Sequence, residues 1–214
     1  MSGNEQLINH LVAAGVLRSP SLINAFHVCD RILFIPDTLY AYAYEDRPLP
    51  IGKAQTISQP YTVAIMLELL HPRIGDTVLD IGSGSGWTTA LLATAVGPEG
   101  FVEGVEIIPH LVKYGRESLQ KAHIHNAAIT LSPPSVLGKP GKLYDRILVS
   151  ASASEMPRTL FDQLKVGGIL VIPVKNSIWR ITKKEDGTLA PYELPGFRFV
   201  PLILSYNARP LRFP

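Results

Sequence analysis

Val78-Leu79-Asp80-Ile81-Gly82-Ser83-Gly84-Ser85-Gly86-Trp87 is the stretch on which the reading of this chain turns. It opens as a short, largely apolar run of the kind that makes a buried strand. Three glycines at alternate positions follow, and Thr88-Thr89-Ala90-Leu91-Leu92-Ala93 then offers a helix. A backbone without Cβ atoms turns sharply and comes within contact distance of a ligand. The helix behind it begins with free N–H groups and a partial positive charge. Strand, turn and helix together make a cradle for a nucleotide-type ligand.

Outward from this stretch, strands and helices alternate. The apolar runs predict strands near 77–81, 101–106, 127–131, 144–150 and 168–173, with helices near 87–96, 109–122 and 155–165. Gly167-Gly168 reads as the stop of the last helix. This pattern predicts an α/β fold with a doubly wound, mostly parallel sheet covered on both faces. Before it, helical spacing over 5–17 and Ser19-Pro20 opening a second helix predict an N-terminal helical lobe. Residues 30–62 lack periodicity but are rich in aliphatic and aromatic side chains, so they read as a loop folded over a site. After Pro60 comes another helix, carrying Val63, Met66, Leu67 and Leu70. Beyond 174, two runs flanking Asp186-Gly187 read as an antiparallel hairpin, and Arg198 to Ile203 as a final strand. One domain over 1–214 is expected, divided into 1–62, 63–174 and 175–214.

Composition narrows the function. Apolar residues make up 46% and charged residues 18% of the 214, which supports a sizeable core rather than disorder. The net charge of +2 comes without a run of Lys or Arg, which argues against a nucleic-acid partner. No apolar run is long enough to cross a bilayer, and the N-terminus does not read as a signal peptide. Cys29 is the lone cysteine and suits a reducing compartment, so a cytoplasmic location is expected. His123 and His125 stand two apart, but no Cys or carboxylate stands close in sequence to complete a metal site.

The glycine spacing is Gly-x-Gly-x-Gly after an acid, not the Gly-x-Gly-x-x-Gly of dinucleotide folds. It resembles motif I of the class I S-adenosylmethionine (AdoMet) methyltransferases, in which the turn wraps the amino-acid end of the cofactor. The resemblance implies AdoMet contacts from Asp80, Gly82, Ser83, Gly84, Ser85 and Gly86. Glu106 ends the next strand, about where an acid would meet a ribose diol.

A more specific likeness covers most of the chain. Asp30-Arg31 with Phe34-Ile35-Pro36, Pro48-Leu49-Pro50-Ile51-Gly52 with Gln55-Thr56-Ile57-Ser58-Gln59-Pro60, Tyr144 to Ala153, and Phe199-Val200-Pro201-Leu202 resemble the protein-L-isoaspartate (D-aspartate) O-methyltransferases. The implied reaction is methyl transfer from AdoMet to the carboxylate of isoaspartyl or D-aspartyl residues in damaged proteins and peptides. That carboxylate is ionised near neutral pH, so no strong general base is needed. By resemblance Ser58 is the active-site serine, whose hydroxyl would hold the acceptor in line; it also reads as an N-cap for the helix after Pro60. Ile57, Ser58, Gln59, Ser150 and Ala151 are the expected substrate-binding residues. Tyr40, Tyr42 and Tyr44 line the peptide cleft or pack the covering loop.

One motif departs from the family. Its Gly-Asp-Gly, whose Asp sits on the adenine side, is here Ser132-Pro133-Pro134-Ser135-Val136-Leu137-Gly138, with Pro134 where the Asp should be. Proline has neither a carboxylate nor an N–H. A carbonyl or Ser135 then stands in for the Asp, or the chain is a catalytically silent relative that binds peptide or a partner protein. A methyltransferase for RNA or a small molecule is the other alternative. A monomer is expected.

Overall fold

The structure is a computed structural model, and it describes residues 2–204. Helices α1 (Gly3–Ala13) and α2 (Pro20–Val28) come first, followed by 3₁₀ turns at Arg31–Phe34 and Asp37–Tyr42. A two-stranded antiparallel hairpin, β1 (Leu49–Gly52) and β2 (Gln55–Ile57), leads into α3 (Pro60–Leu70). The alternating core is β3 (Thr77–Ile81), α4 (Trp87–Val96), β4 (Phe101–Glu106), α5 (Pro109–Lys121), β5 (Ala127–Leu131), β6 (Tyr144–Val149) and β7 (Leu164–Val174). β8 (Ser177–Lys183) and β9 (Leu189–Pro195) close the order.

The seven-stranded sheet runs β5-β4-β3-β6-β7-β8-β9, parallel up to β7 and antiparallel beyond it. The chain leaves β3 toward β4 and β5, then returns to the other side of β3 at β6. The winding reverses there, and the carboxyl ends of β3 and β6 flank the switch point where open α/β sheets bind ligands.

Period-two alternation divides the strand residues between two clusters. Val78, Val102, Leu148 and Val171 pack with residues of helices α1 to α5. Leu79, Ile81, Val105, Ile147, Val149, Leu170 and Ile172 belong to the other cluster. That second face is covered by Leu160, Met156, Phe161 and Leu137 from turns, with no α-helix among the described residues.

Three expectations are corrected. The helix at 155–165 is a 3₁₀ turn, Arg158–Gln163, because β7 already begins at Leu164 and leaves only a short run, the setting in which 3₁₀ turns occur. Gly167-Gly168 lies inside β7, where the register with β6 slips between Tyr144↔Leu164 and Arg146↔Ile169. Gly167 has φ +76° at that slip, so it serves a bulge and not a helix stop. The stretch 198–203 forms one parallel bridge, Ser152↔Pro201, and no strand. Pro201 has no N–H to extend a ladder. The covering loop, meanwhile, contains ordered structure that the residue pattern does not predict: two 3₁₀ turns and the β1–β2 hairpin.

Candidate active site

The site is assembled where β3, β4, β5 and β6 end. Gly82, Gly84 and Gly86 have φ of +81°, +52° and +86°. The last of these is forced by packing as well as by the turn. A Cβ on Gly86 would come within 3.0 Å of the Gly115 carbonyl oxygen and 3.2 Å of Ile129. Gly115 on α5 is equally hemmed in, with Gly84 O 3.0 Å from where its Cβ would stand. Helix α5 is thus pressed directly against the turn, a role for Gly115 that no sequence signal announces.

Two carboxylates anchor the turn. Asp80 is fully buried, and its Oδ2 accepts from the hydroxyls of Thr88 (2.8 Å) and Thr89 (2.6 Å) at the start of α4. Its Oδ1 has no hydrogen-bond partner. Burial pushes the carboxyl up to about 6, opposed by the threonine hydroxyls, raised further by Glu106 and eased by nearby Ser150. Glu106 is buried and accepts from three main-chain N–H groups: Ile107 (2.8 Å) and Ile108 (2.9 Å) on Oε1, and Gly84 (2.9 Å) on Oε2. Burial raises its pKa against those bonds. A carboxylate oxygen can accept two bonds, so Oε2, which holds only the Gly84 N–H, retains acceptor capacity.

A narrow cleft opens beside these acids at the carboxyl ends of the strands. Gly82, Gly84, Glu106, Ser132, Ser150 and Ala151 stand on its wall, with Leu204 at one side. A smaller gap is lined by Ile57, Ser58, Ser83, Ser85 and Trp87. A third groove, about 320 Å³, runs between Ser58 and Gln59 on the lid and Ser150, Arg198, Phe199 and Val200 opposite. Thr56 and Ser150 line all three hollows. Thr56 therefore stands where they meet, a place that its letter in the Gln55 to Pro60 motif does not announce.

The structure fits an AdoMet-type ligand. Asp80 Oδ1 and Ser83 Oγ are buried oxygens without partners beside a turn whose three glycines all have positive φ. An ammonium is the natural complement to a buried carboxylate whose charge is otherwise disfavoured.

The other expected residues fall as follows. Ser58 is half-buried and lines both the gap and the groove. The N-cap of α3 is Gln59, not Ser58, and no side chain makes the cap bond. Gln59 instead binds Asp46 through Nε2 (3.0 Å) and accepts from Thr62 (3.3 Å). Ser150 donates its amide to Ile81 O (2.9 Å), which locks the β6 end to the β3 end. Ser135 is exposed and does not line the cleft; its amide, at φ +62°, donates to Leu204 O (2.6 Å). The chain bends outward at Pro133-Pro134, and Ser132 faces the cleft in its stead. Tyr40 and Tyr42 are exposed and Tyr44 packs on the core, its hydroxyl on Asp30 (3.1 Å); none lines the groove. Among the described residues, no helix is long and apolar enough to cross a membrane.

Comparison with known proteins agrees with this geometry. The family model described as protein-L-isoaspartate (D-aspartate) O-methyltransferase matches residues 1–206. A protein-L-isoaspartate O-methyltransferase of Ignicoccus hospitalis is 42% identical over 203 residues, spanning 92% of this chain and 96% of that protein. One from Pyrococcus horikoshii is 41% identical over 210 residues, 96% of this chain and 94% of its own. Among solved structures, a Plasmodium falciparum protein-L-isoaspartate O-methyltransferase in complex with S-adenosyl-L-homocysteine superposes with a TM-score of 0.83 at 27% identity. That match covers 97% of this chain and all of the other. With its motifs, sheet order and full-length relatives in agreement, the chain belongs to the protein-L-isoaspartate (D-aspartate) O-methyltransferase family.

Proposed function

We propose that this chain transfers the methyl group of AdoMet to the side-chain carboxylate of L-isoaspartyl and D-aspartyl residues in damaged proteins and peptides. The observation that carries the reading is the meeting, at Thr56 and Ser150, of the cleft beside the glycine turn with an open groove that Ser58 also lines. Relatives named as enzymes at about 40% identity along the whole chain support catalysis over a silent peptide binder.

The bound cofactor supplies an electrophilic methyl on a sulfonium. The chain's own residues do the rest. Asp80, with its unpartnered Oδ1 behind the turn, would complement the ammonium, and the turn from Gly82 to Gly86, with Ser83 and Ser85, would hold the amino-acid end. Glu106 accepts from the ribose. The adenine side falls to Ser132, Val136 and Leu137 on the cleft wall, in place of the missing Asp. The groove seats the peptide, with the small Ser150 and Ala151 leaving room for its backbone. The Ser58 hydroxyl donates to one oxygen of the acceptor and aims the other at the methyl. Attack by an anion on a cation reduces charge, so the lid favours the transition state by excluding water. A monomeric, cytoplasmic enzyme is part of this reading.

The test is a methyl-release assay with an isoaspartyl peptide beside its normal aspartyl twin. Turnover of the first alone is expected. Equal turnover of both, or turnover only with RNA or small acceptors, would overturn the substrate assignment.

Cofactor affinity follows Asp80. Its folded pKa of about 6 lies above the ordinary value of 3.8, so without a ligand the ionised form is a cost to the fold. That cost grows as pH rises from the ordinary value through 6, and a bound cation relieves it. S-adenosylhomocysteine affinity is therefore expected to tighten as pH rises toward 6 and level off above. In Asp80→Asn the slope should vanish and binding should be weak throughout. Calorimetry between pH 5 and pH 8 checks both (roughly one pH unit or more on each side of the titration), and an Asp80→Asn protein with wild-type affinity removes Asp80 from the site.

A further inference from the structure

Arg31 is wholly buried, yet no carboxylate pairs with it among the described residues. Its Nη1 donates to the carbonyls of Ala43 (2.9 Å) and Glu45 (3.0 Å), and its Nη2 to those of Arg47 (2.9 Å) and Ser58 (3.1 Å). One fork thus gathers four carbonyls of the lid, two from each nitrogen. The guanidinium also lies over the ring of Trp87, 5.4 Å from its centroid. That ring is fixed by its own N–H on Cys29 O (3.0 Å) and by the edge of Phe26. Trp87 is the first residue of α4, directly behind the glycine turn.

A buried cation facing only carbonyls is a poor source of stability, because desolvating it is expensive and an apolar side chain of similar size would pack well. Burial does lower its pKa, to about 10, with Asp46 opposing the shift and Arg47 adding to it, so the group stays charged at neutral pH. The carboxylate of Asp46 is engaged elsewhere, on Gln59 Nε2 and on Tyr61 N (2.8 Å). What the arrangement provides is registration. Residues 43–47 and Ser58 are held against the ring that starts the cofactor-side helix.

We infer that Arg31 is the positioning residue of this enzyme: its guanidinium fixes the lid, and with it the Ser58 hydroxyl, relative to the glycine turn. This rests on the function proposed above and adds to it a residue that need not touch either ligand. Lysine cannot replace it, because a single ammonium cannot reach four carbonyls in a planar fork.

The test uses the full chain with isoaspartyl peptide and compares Arg31→Lys, Ser58→Ala and the double variant. Arg31→Lys is expected to lower kcat roughly 100-fold, the scale of a 1 Å misplacement, with affinity for S-adenosylhomocysteine within about threefold. In the Ser58→Ala background the same change should cost less than about threefold, since residues acting through one another are not additive. Amide hydrogen exchange of 43–58 should speed about tenfold or more in Arg31→Lys while β3 and α4 stay protected. An unchanged kcat, an equal loss in both backgrounds, or a loss that falls on cofactor affinity would overturn the proposal. If the wild-type chain shows no isoaspartyl turnover, the functional reading fails, and the exchange measurement alone decides: a still-protected lid in Arg31→Lys rejects the anchor. Should Arg31→Lys not accumulate, Arg31→Gln, which leaves no charge to bury, takes its place, and the same results support or overturn the proposal.

Discussion

Replacing Ser58 with alanine is expected to lower kcat by about two to three orders of magnitude, the usual loss on removing one transition-state hydrogen-bond donor. Affinity for S-adenosylhomocysteine should hardly change, because the Ser58 hydroxyl is assigned to the acceptor carboxylate and Ser58 does not line the cofactor cleft. The backbone around it should stay in place, since the Ser58 carbonyl is held by Arg31 and Ile57 just before it is buried. No side-chain base is hydrogen-bonded to Ser58 among the described residues, so the hydroxyl orients an acceptor that is already ionised and does not act as a nucleophile. Initial rates across peptide concentrations, with calorimetric titration of the cofactor product, check this. Turnover near the wild-type value would take Ser58 out of the chemistry.

The second large effect is expected at Glu106. Glu106→Ala leaves three main-chain N–H groups, of Gly84, Ile107 and Ile108, without their acceptor. Each unsatisfied buried donor costs about 1–3 kcal/mol, moderated where water enters the cleft. The variant should melt several degrees lower, at roughly 2–4 °C per kcal/mol for a chain of this size. Cofactor affinity should fall about 100-fold or more, because the ribose acceptor and the shape of the turn are lost together. Glu106→Gln separates the two losses. It keeps one carbonyl oxygen, so it should recover part of the melting temperature but little of the affinity. Full affinity in Glu106→Gln would mean that the carboxylate serves the turn and not the ribose.

How much of this is legible in the sequence depends on the physical signal. β3, β4 and β5 lie on the residues their apolar runs mark, because buried parallel strands between glycine-rich turns leave little freedom in placing their ends. The helix expected at 155–165 does not form: Leu160, Phe161 and Leu164 supply a helix-like spacing, but Leu164 is already the first residue of β7. The β1–β2 hairpin is hidden for another reason. Its turn residues are Lys53 and Ala54, both at positive φ (54° and 56°), where the usual Asn-Gly signature is missing. At the site, Glu106, Gly82 and Gly84 line the cleft and Ser58 the neighbouring gap, while Asp80 is buried behind the turn, bound to Thr88 and Thr89. Ser135 follows only from counting back from Leu137-Gly138, and counting cannot see that two prolines turn the chain outward. Arg31 is visible only as a motif letter. Its four partners are carbonyls, which every residue carries, so no pattern of side chains could reveal them.

That last fact bears on how such an enzyme changes over generations. An anchor that grips only main-chain oxygens makes no hydrogen bond to the side chains attached to them. Glu45 and Arg47 expose about half of their side chains, 48% and 50%. Their side chains pair with each other and not with Arg31, so the pair can change together without removing a bond of the grip, and the outer surface of the lid is open to retuning while its alignment is inherited intact.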